Sequence, residues 1–205
     1  MIIEVLGLPA SGKSTLVNSI AEMTKVKTYE SFFGFETEIR LKRSLKKIMF
    51  LLRYYKYTDL KTLLKFLKLL SILDVNVKRK SILLVNYLII KVIYSKYQNG
   101  EELVILDQGQ LQLAWSIFVD DNFKISSKLK THLNDIKVSY ITTEVAHEIY
   151  VSRFENRQWK KSVHNRYKHL LHCEEFQKSI DTILKYATGC KRLELANEIS
   201  PSHHN

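Results

Sequence analysis

Two kinds of apolar run alternate along the chain, and their lengths separate strands from helices. Ile2-Ile3-Glu4-Val5-Leu6 and Leu103-Val104-Ile105-Leu106-Asp107 are short. The second shows no polar alternation before its closing acid, which suits the centre of a parallel sheet covered on both faces. Val26 to Glu30, Lys137 to Thr142 and Cys190 to Leu195 read as three further strands. Between them the apolar spacing is helical. Leu16, Val17, Ile20 and Met23 share one face of Ser14 to Thr24, and Ile39 to Gln98 is almost wholly helical in three pieces. Leu41, Leu45, Ile48, Met49, Leu51 and Leu52 suit the first piece. Thr58 or Asp59 caps the second, with an apolar stripe of Leu60, Leu63, Leu64, Leu67, Leu70 and Leu73. Lys78 to Gln98 is the third, stopped at Asn99-Gly100. Gln110 to Val119, Ser127 to Asp135, Glu144 to Trp159 and a long stretch from His164 to Ala187 complete the helices.

Strands alternating with helices predict an α/β protein with a five-stranded parallel sheet, helices on both faces and a helical insertion between strands two and three. The 205 residues read as one domain. Residues 39–98 form a substrate or interaction segment within it, and residues 153–175 form a lid region.

The first turn of that pattern carries the most specific chemistry. Gly7-Leu8-Pro9-Ala10-Ser11-Gly12-Lys13-Ser14-Thr15 is G-x-x-x-x-G-K-S, set directly after a strand and directly before a helix. Glycines let the backbone bend so that successive N–H groups face an anion, and the helix adds its unpaired amides and positive dipole end. Gly7, Pro9, Ala10, Ser11, Gly12, Lys13, Ser14 and Thr15 are therefore the candidate nucleotide-binding residues. Lys13 would supply charge for the outer phosphates, and the Ser14 hydroxyl is placed to hold Mg²⁺. The implied fold is the three-layer P-loop NTPase architecture, with a nucleotide and Mg²⁺ at this loop.

Ligands of such sheets sit at the carboxyl ends of the strands, where Glu30 and Asp107 also fall. Asp107, after four apolar residues, would hold Mg²⁺ or orient a hydroxyl. Glu30 could take the proton of an attacking hydroxyl, as Asp107 could, or simply cap the next helix. Arg153 and Arg157 stand at i and i+4 in IYVSRFENRQWKK and put two guanidiniums on one helix face. Such a pair stabilises the charge spread over a transferring phosphoryl group. Gln108 and Gln112 could line an acceptor pocket, as could Phe33 in the aromatic loop after strand two and Arg40 just beyond it. His169, His172 and Cys173 have helical metal-ligand spacing, but Cys173 also belongs to the apolar stripe of Leu170, Phe176, Ile180 and Leu184.

Charge then changes the picture for the helical insertion. The net charge is +11, yet Ile39 to Gly100 holds fifteen Lys or Arg against Asp59 and Asp74, so the rest of the chain is slightly acidic. A solvated face, a wall for an anionic substrate with Arg40 and Arg43 nearest the loop, peripheral contact with anionic lipid, and a homodimer contact through the basic and apolar helices all fit. No recognition motif supports nucleic acid. Cys173 and Cys190 have no C-x-x-C spacing and read as free thiols of a reducing compartment. With no room for a signal peptide ahead of the first strand and no apolar run of spanning length, the expectation is a cytoplasmic protein.

Taken together, GLPASGKS, an acid closing the second strand, a helical stretch, LVILDQG and a strand followed by IYVSRFENR resemble the P-loop small-molecule kinases of the nucleoside and nucleotide kinase group, such as thymidylate and deoxynucleoside kinases. The resemblance covers the sheet and the lid, and residues 39–98 share only their helicity. It implies ATP at the phosphate loop, Glu30 as the acid after strand two, and Arg153 and Arg157 as lid arginines. The group usually has an acid followed by Arg where this chain has Asp107-Gln108, which leaves the acceptor open among nucleosides, nucleotides and sugar derivatives. The rival reading is a nucleotide-hydrolysing protein that docks on a membrane or partner through its basic helices. The sequence lacks the guanine-reading N-K-x-D pattern.

Overall fold

The computed structural model describes residues 1–33, 40–54, 56, 59–98, 100–156, 167 and 170–194, and of 40–44 only the helical path. Five strands form one sheet: β1 (Ile2–Leu6), β2 (Lys27–Thr28), β3 (Val104–Leu106), β4 (Ser139–Thr142) and β5 (Lys191–Arg192). Their order is β2-β3-β1-β4-β5, and every pair is parallel. The β1 strand sits in the middle, with Ile3 opposite both Ile105 and Ser139.

Alternation along β1 sorts its side chains to two faces. Ile3 and Val5 join Ile105 and Ile141 in a small core against Val17, Leu16 and Ile20 of α1 (Lys13–Thr24). Ile2 and Leu6 join Val104, Leu106 and Tyr140 in a much larger core on the opposite face. That core is filled by α4 (Val77–Tyr97), α5 (Gln110–Asp120) and α6 (Ser127–Asn134), with α2 (Arg40–Tyr54), α3 (Leu60–Ser71), α7 (His147–Asn156), α8 (Glu174–Gln177) and α9 (Ser179–Tyr186) completing the described helices. The result is a three-layer α/β architecture of the P-loop NTPase kind. Among the described residues, no helix is long and apolar enough to cross a membrane.

Local chemistry explains most boundaries. The Asp59 carboxylate accepts from the amides of Lys61 and Thr62 and starts α3, while Asn76 and Ser126 accept from the third amide of α4 and α6. The expected strand over Val26 to Glu30 is two residues long, because Glu30–Phe32 turns into a 3₁₀ segment in which Thr28 and Ser31 exchange hydrogen bonds. The expected long helix from His164 to Ala187 is, in its described part, two short ones. Cys173 is extended (φ −79°, ψ 125°) and starts α8. At the α8–α9 junction the buried Ser179 hydroxyl donates to the Phe176 carbonyl and accepts from the Trp115 indole at 2.7 Å. A tertiary hydrogen bond thus fixes a joint that helical periodicity does not reveal.

The stripe expected on α3 also needs correction. Of the expected stripe Leu70 and Leu73 are buried, joined by Phe66 and Leu69, whereas Leu60, Leu64 and Leu67 face solvent. Phe66 stacks flat on Tyr87 of α4, with centroids 3.7 Å apart, and that aromatic pair decides the orientation of the helix.

Candidate functional site

The site is built around the turn from β1 into α1. Gly12 adopts φ +90°, a conformation that glycine takes at no steric cost. Ala10 is at φ +71° without that freedom, a strain of about 1 kcal/mol held by the loop. Gly7 has no space for a side chain: a Cβ there would lie 2.1 Å from Thr143 Oγ1 and 2.5 Å from Ser11 Oγ. Those two hydroxyls hydrogen-bond each other at 2.6 Å, and the Thr143 amide donates to the Leu6 carbonyl at 2.9 Å. The residue after β4 therefore clamps the loop that leaves β1. The buried Lys13 ammonium donates to the carbonyls of Gly7 and Leu8, both at 2.8 Å, so its charge is held inside the loop.

Two distant segments reach the start of α1. The Ser14 hydroxyl donates to Asp107 at the end of β3, at 2.9 Å. A hydroxyl and a carboxylate oxygen side by side form the hard donor set that Mg²⁺ takes, together with waters. Asp107 faces Tyr29 as well, whose phenol is pushed well up from its ordinary range, first by burial and then by the Asp107 charge. From the other side, the Arg153 Nη1 lies 3.8 Å from where a Gly12 side chain would begin. Tyr150 and Phe154, both buried, anchor α7 and so fix the origin of that arginine.

A cavity of about 1180 Å³ opens beside the loop. Gln108 and Gln112 line it, with Trp115 and Tyr167 beyond them and Arg79 and Asn86 from α4. Gln112 Oε1 also accepts the Gly7 amide, at a long 3.5 Å. Arg79 is itself engaged, its Nε donating to Asp120 at 2.6 Å in a largely buried pair. Glu30 is exposed, and the residues lining this cavity do not include it. Phe33 is buried, edge-on to Phe50 at 5.1 Å, and belongs to the core behind β2. Arg157 and His169 lie outside the described residues, as does the side chain of Arg40. Among the described residues, His, Cys, Asp and Glu form no cluster of three or more that could hold a metal.

Thr143, Arg79, Asn86 and Tyr167 enter the site without a motif to announce them. For Thr143 the available signal is its place at the carboxyl end of a central strand. For the other three, tertiary packing alone brings them in. Glu4 is a further residue that the sequence does not distinguish. It is buried on the large-core face of β1 and accepts hydrogen bonds from Tyr94, from the Gln110 amide and, at 2.8 Å, from the Leu111 amide. Its carboxylate covers the N-terminus of α5, and Gly109 leaves it room, since a Cβ there would fall 2.0 Å from Glu4 Cδ. Burial raises the Glu4 pKa, against the pull of those three hydrogen bonds.

No protein-family model matches the chain, and no curated protein matches it. Among solved structures it is similar to deoxyadenosine kinase from M. mycoides in three states. The form with the products dCMP and a flexible dCDP shares 12% identity at a TM-score of 0.45, over 95% of this chain and 90% of that one. The form with bound dATP gives 15% and 0.42, over 95% and 91%, and the form with bound dCTP gives 14% and 0.44, over 95% and 90%.

Proposed function

We propose that the protein is an ATP- and Mg²⁺-dependent phosphotransferase that moves a γ-phosphoryl group to a small metabolite, a nucleoside, nucleotide or sugar derivative. The observation that carries this reading is the meeting of three segments at the start of α1: the glycine-built loop, Asp107 hydrogen-bonded to Ser14, and Arg153 beside Gly12.

In this reading the loop amides and Lys13 grip the β- and γ-phosphates, and phosphate oxygens replace the Gly7 and Leu8 carbonyls as partners of the ammonium. Ser14 and Asp107 hold Mg²⁺, which when bound offsets negative charge on the phosphates. Gln108, Gln112 and Trp115 form the wall against which the acceptor lies. The acceptor oxygen bonds to the γ-phosphorus as the bond from that phosphorus to the bridging oxygen breaks, ADP departs, and the acceptor proton passes to Asp107, which bonds Ser14 at the loop, since the exposed Glu30 does not line the cavity. Arg153, joined by Arg157, offsets the charge on the equatorial oxygens.

The test is a phosphotransfer screen with ATP against nucleosides, nucleotides, sugars and sugar nucleotides, run beside Lys13→Ala. Turnover of one acceptor class that Lys13→Ala abolishes supports the reading, and no transfer to any class, or equal transfer by the variant, sinks it.

The exposed row Leu45, Ile48, Met49 and Leu52 on the outer side of α2 favours a second reading. No acid occurs between Ile39 and Thr58 while seven Lys or Arg do, a pattern suited to an anionic membrane surface. A slow nucleotide hydrolase that docks there would sediment with anionic vesicles and release with salt.

A further inference from the structure

A second cavity, of about 380 Å³, lies on the α3, α4 and α6 side of the molecule, away from the loop. Lys65 and Lys68 of α3, Lys91 of α4 and Lys128 and His132 of α6 line it, and Asp135 is the one acid among the described lining residues. Two of the four ammonium groups are already engaged. Lys65 pairs with Asp135 at 3.2 Å, and Lys128 donates to the Lys68 carbonyl at 3.2 Å. The Lys91 ammonium lies 5.7 Å from the Tyr87 ring and feels the charges of Asp135 and Asp59, with no ion pair at contact distance among the described residues. Its pKa is lowered, chiefly by burial. Among the described residues the buried His132 Nε2 has no hydrogen-bond partner, and its ring lies beside the stacked rings of Phe66 and Tyr87.

A buried polar nitrogen left unpaired costs roughly 1–3 kcal/mol, and converging cations repel one another. The repulsion among the lysines falls when an anion with several acceptor oxygens enters. The volume is at the lower end of the range for small-molecule sites, about 300–1,000 Å³, which suits a phosphate and a few attached carbons and is too small for an acidic peptide. We propose that this cavity is a binding site for a phosphate monoester, held by Lys68, Lys91 and His132. The site is independent of the phosphotransfer reading. Gln110, the first residue of α5, lies in its wall, so it touches the helix that presents Gln112 to the phosphate loop.

The test titrates glycerol 3-phosphate into the wild-type and Lys13→Ala proteins by calorimetry while following the His132 imidazole by NMR. Equal affinity in both proteins, a moving His132 resonance, and at least a tenfold weaker Kd in the Lys68→Gln/Lys91→Gln double variant are expected. If the double variant fails to fold, the exposed Lys68→Gln alone should weaken binding several-fold. Vesicles of phosphatidylcholine carrying phosphatidic acid form the second arm. Lysine-dependent binding confined to vesicles identifies a lipid headgroup as the source of the monoester, and binding of glycerol 3-phosphate identifies a free metabolite. An absence of binding in both arms, binding unaffected by the lysine substitutions, or binding lost in Lys13→Ala overturns the assignment.

Discussion

Gly7 and Leu64 stand in opposite relations to their surroundings. At Gly7 the Thr143 hydroxyl, the Ser11 hydroxyl and the Lys13 side chain leave no volume for a single added carbon. At Leu64 an apolar side chain half-exposed to water occupies a helix whose other face already supplies Phe66, Leu69 and Leu70 to the core. At the loop end of the sheet, backbone conformation and close contact dictate each residue. Along α2 and α3 there is more apolar surface than the core can take. Which leucines go inside is settled by the partners, here the Phe66–Tyr87 stack.

The comparison is tested most severely within one helix. Phe66→Ala removes a fully buried ring and should destabilise the protein by about 3–5 kcal/mol in urea unfolding. If the loss were under 1 kcal/mol, α3 would not be oriented by that stack.

The loop end predicts a loss of function that can be separated from any loss of stability. If the proposed phosphotransfer reading holds, Lys13→Ala deletes the charge that would meet phosphate and should lower phosphotransfer by about 10²–10³-fold or more. The two carbonyl bonds it gives up come from a charged group and are worth about 1.5–3 kcal/mol each. Turnover and thermal unfolding measured on the same preparation separate the two effects.

His132 gives the pH signature of the helical region. Burial, then the charge of Lys91, lowers its pKa from 6.5 to about 4, so the native protein keeps the ring neutral where the unfolded chain protonates it. The unfolded state therefore binds more protons between about pH 4 and 6.5. Stability from this group is complete above pH 6.5 and drains away as pH falls toward 4, by about 3 kcal/mol in all. His132→Phe should flatten that segment of the stability–pH curve. A curve unchanged by the substitution would mean that the ring is not held neutral in the fold.

How much could be read from the chain follows the same division. The strands β1 and β3, the loop between β1 and α1 and the position of Asp107 were legible, because a short apolar run ending in glycine or an acid has few other uses, whereas β2 and β5 are shorter than the runs that suggested them. The break between α8 and α9 was not legible, since it depends on Trp115 reaching Ser179 across more than sixty residues. Neither was Thr143, whose role is a hydroxyl contact with Ser11. The inward face of α3 was legible only at Leu70 and Leu73, for a related reason. Leu60, Leu64 and Leu67 and the buried Leu69 and Leu70 have the same composition and compatible spacing, so periodicity offers two faces and only the aromatic partner chooses. Glu4 was hidden by its setting in an apolar strand, where the need for a carboxylate arises from helix α5, more than a hundred residues later.

The smallest expected effect is the one that defines what the exposed leucines are for. Leu64→Ser on α3 and Leu45→Ser on α2 remove side chains that are 50% and 52% exposed, and each should change stability by no more than about 0.5 kcal/mol. Within the folded chain these residues are then close to dispensable. If α2 serves a membrane surface, Leu45→Ser combined with Ile48→Ser should lower the amount of protein sedimenting with anionic vesicles while leaving phosphotransfer unchanged, since each lost side chain removes apolar area from the contact. If vesicle binding is unaltered while the unfolding free energy falls by more than 1 kcal/mol, the row is packed against the protein's own surface in solution, and its apolar character has an internal cause.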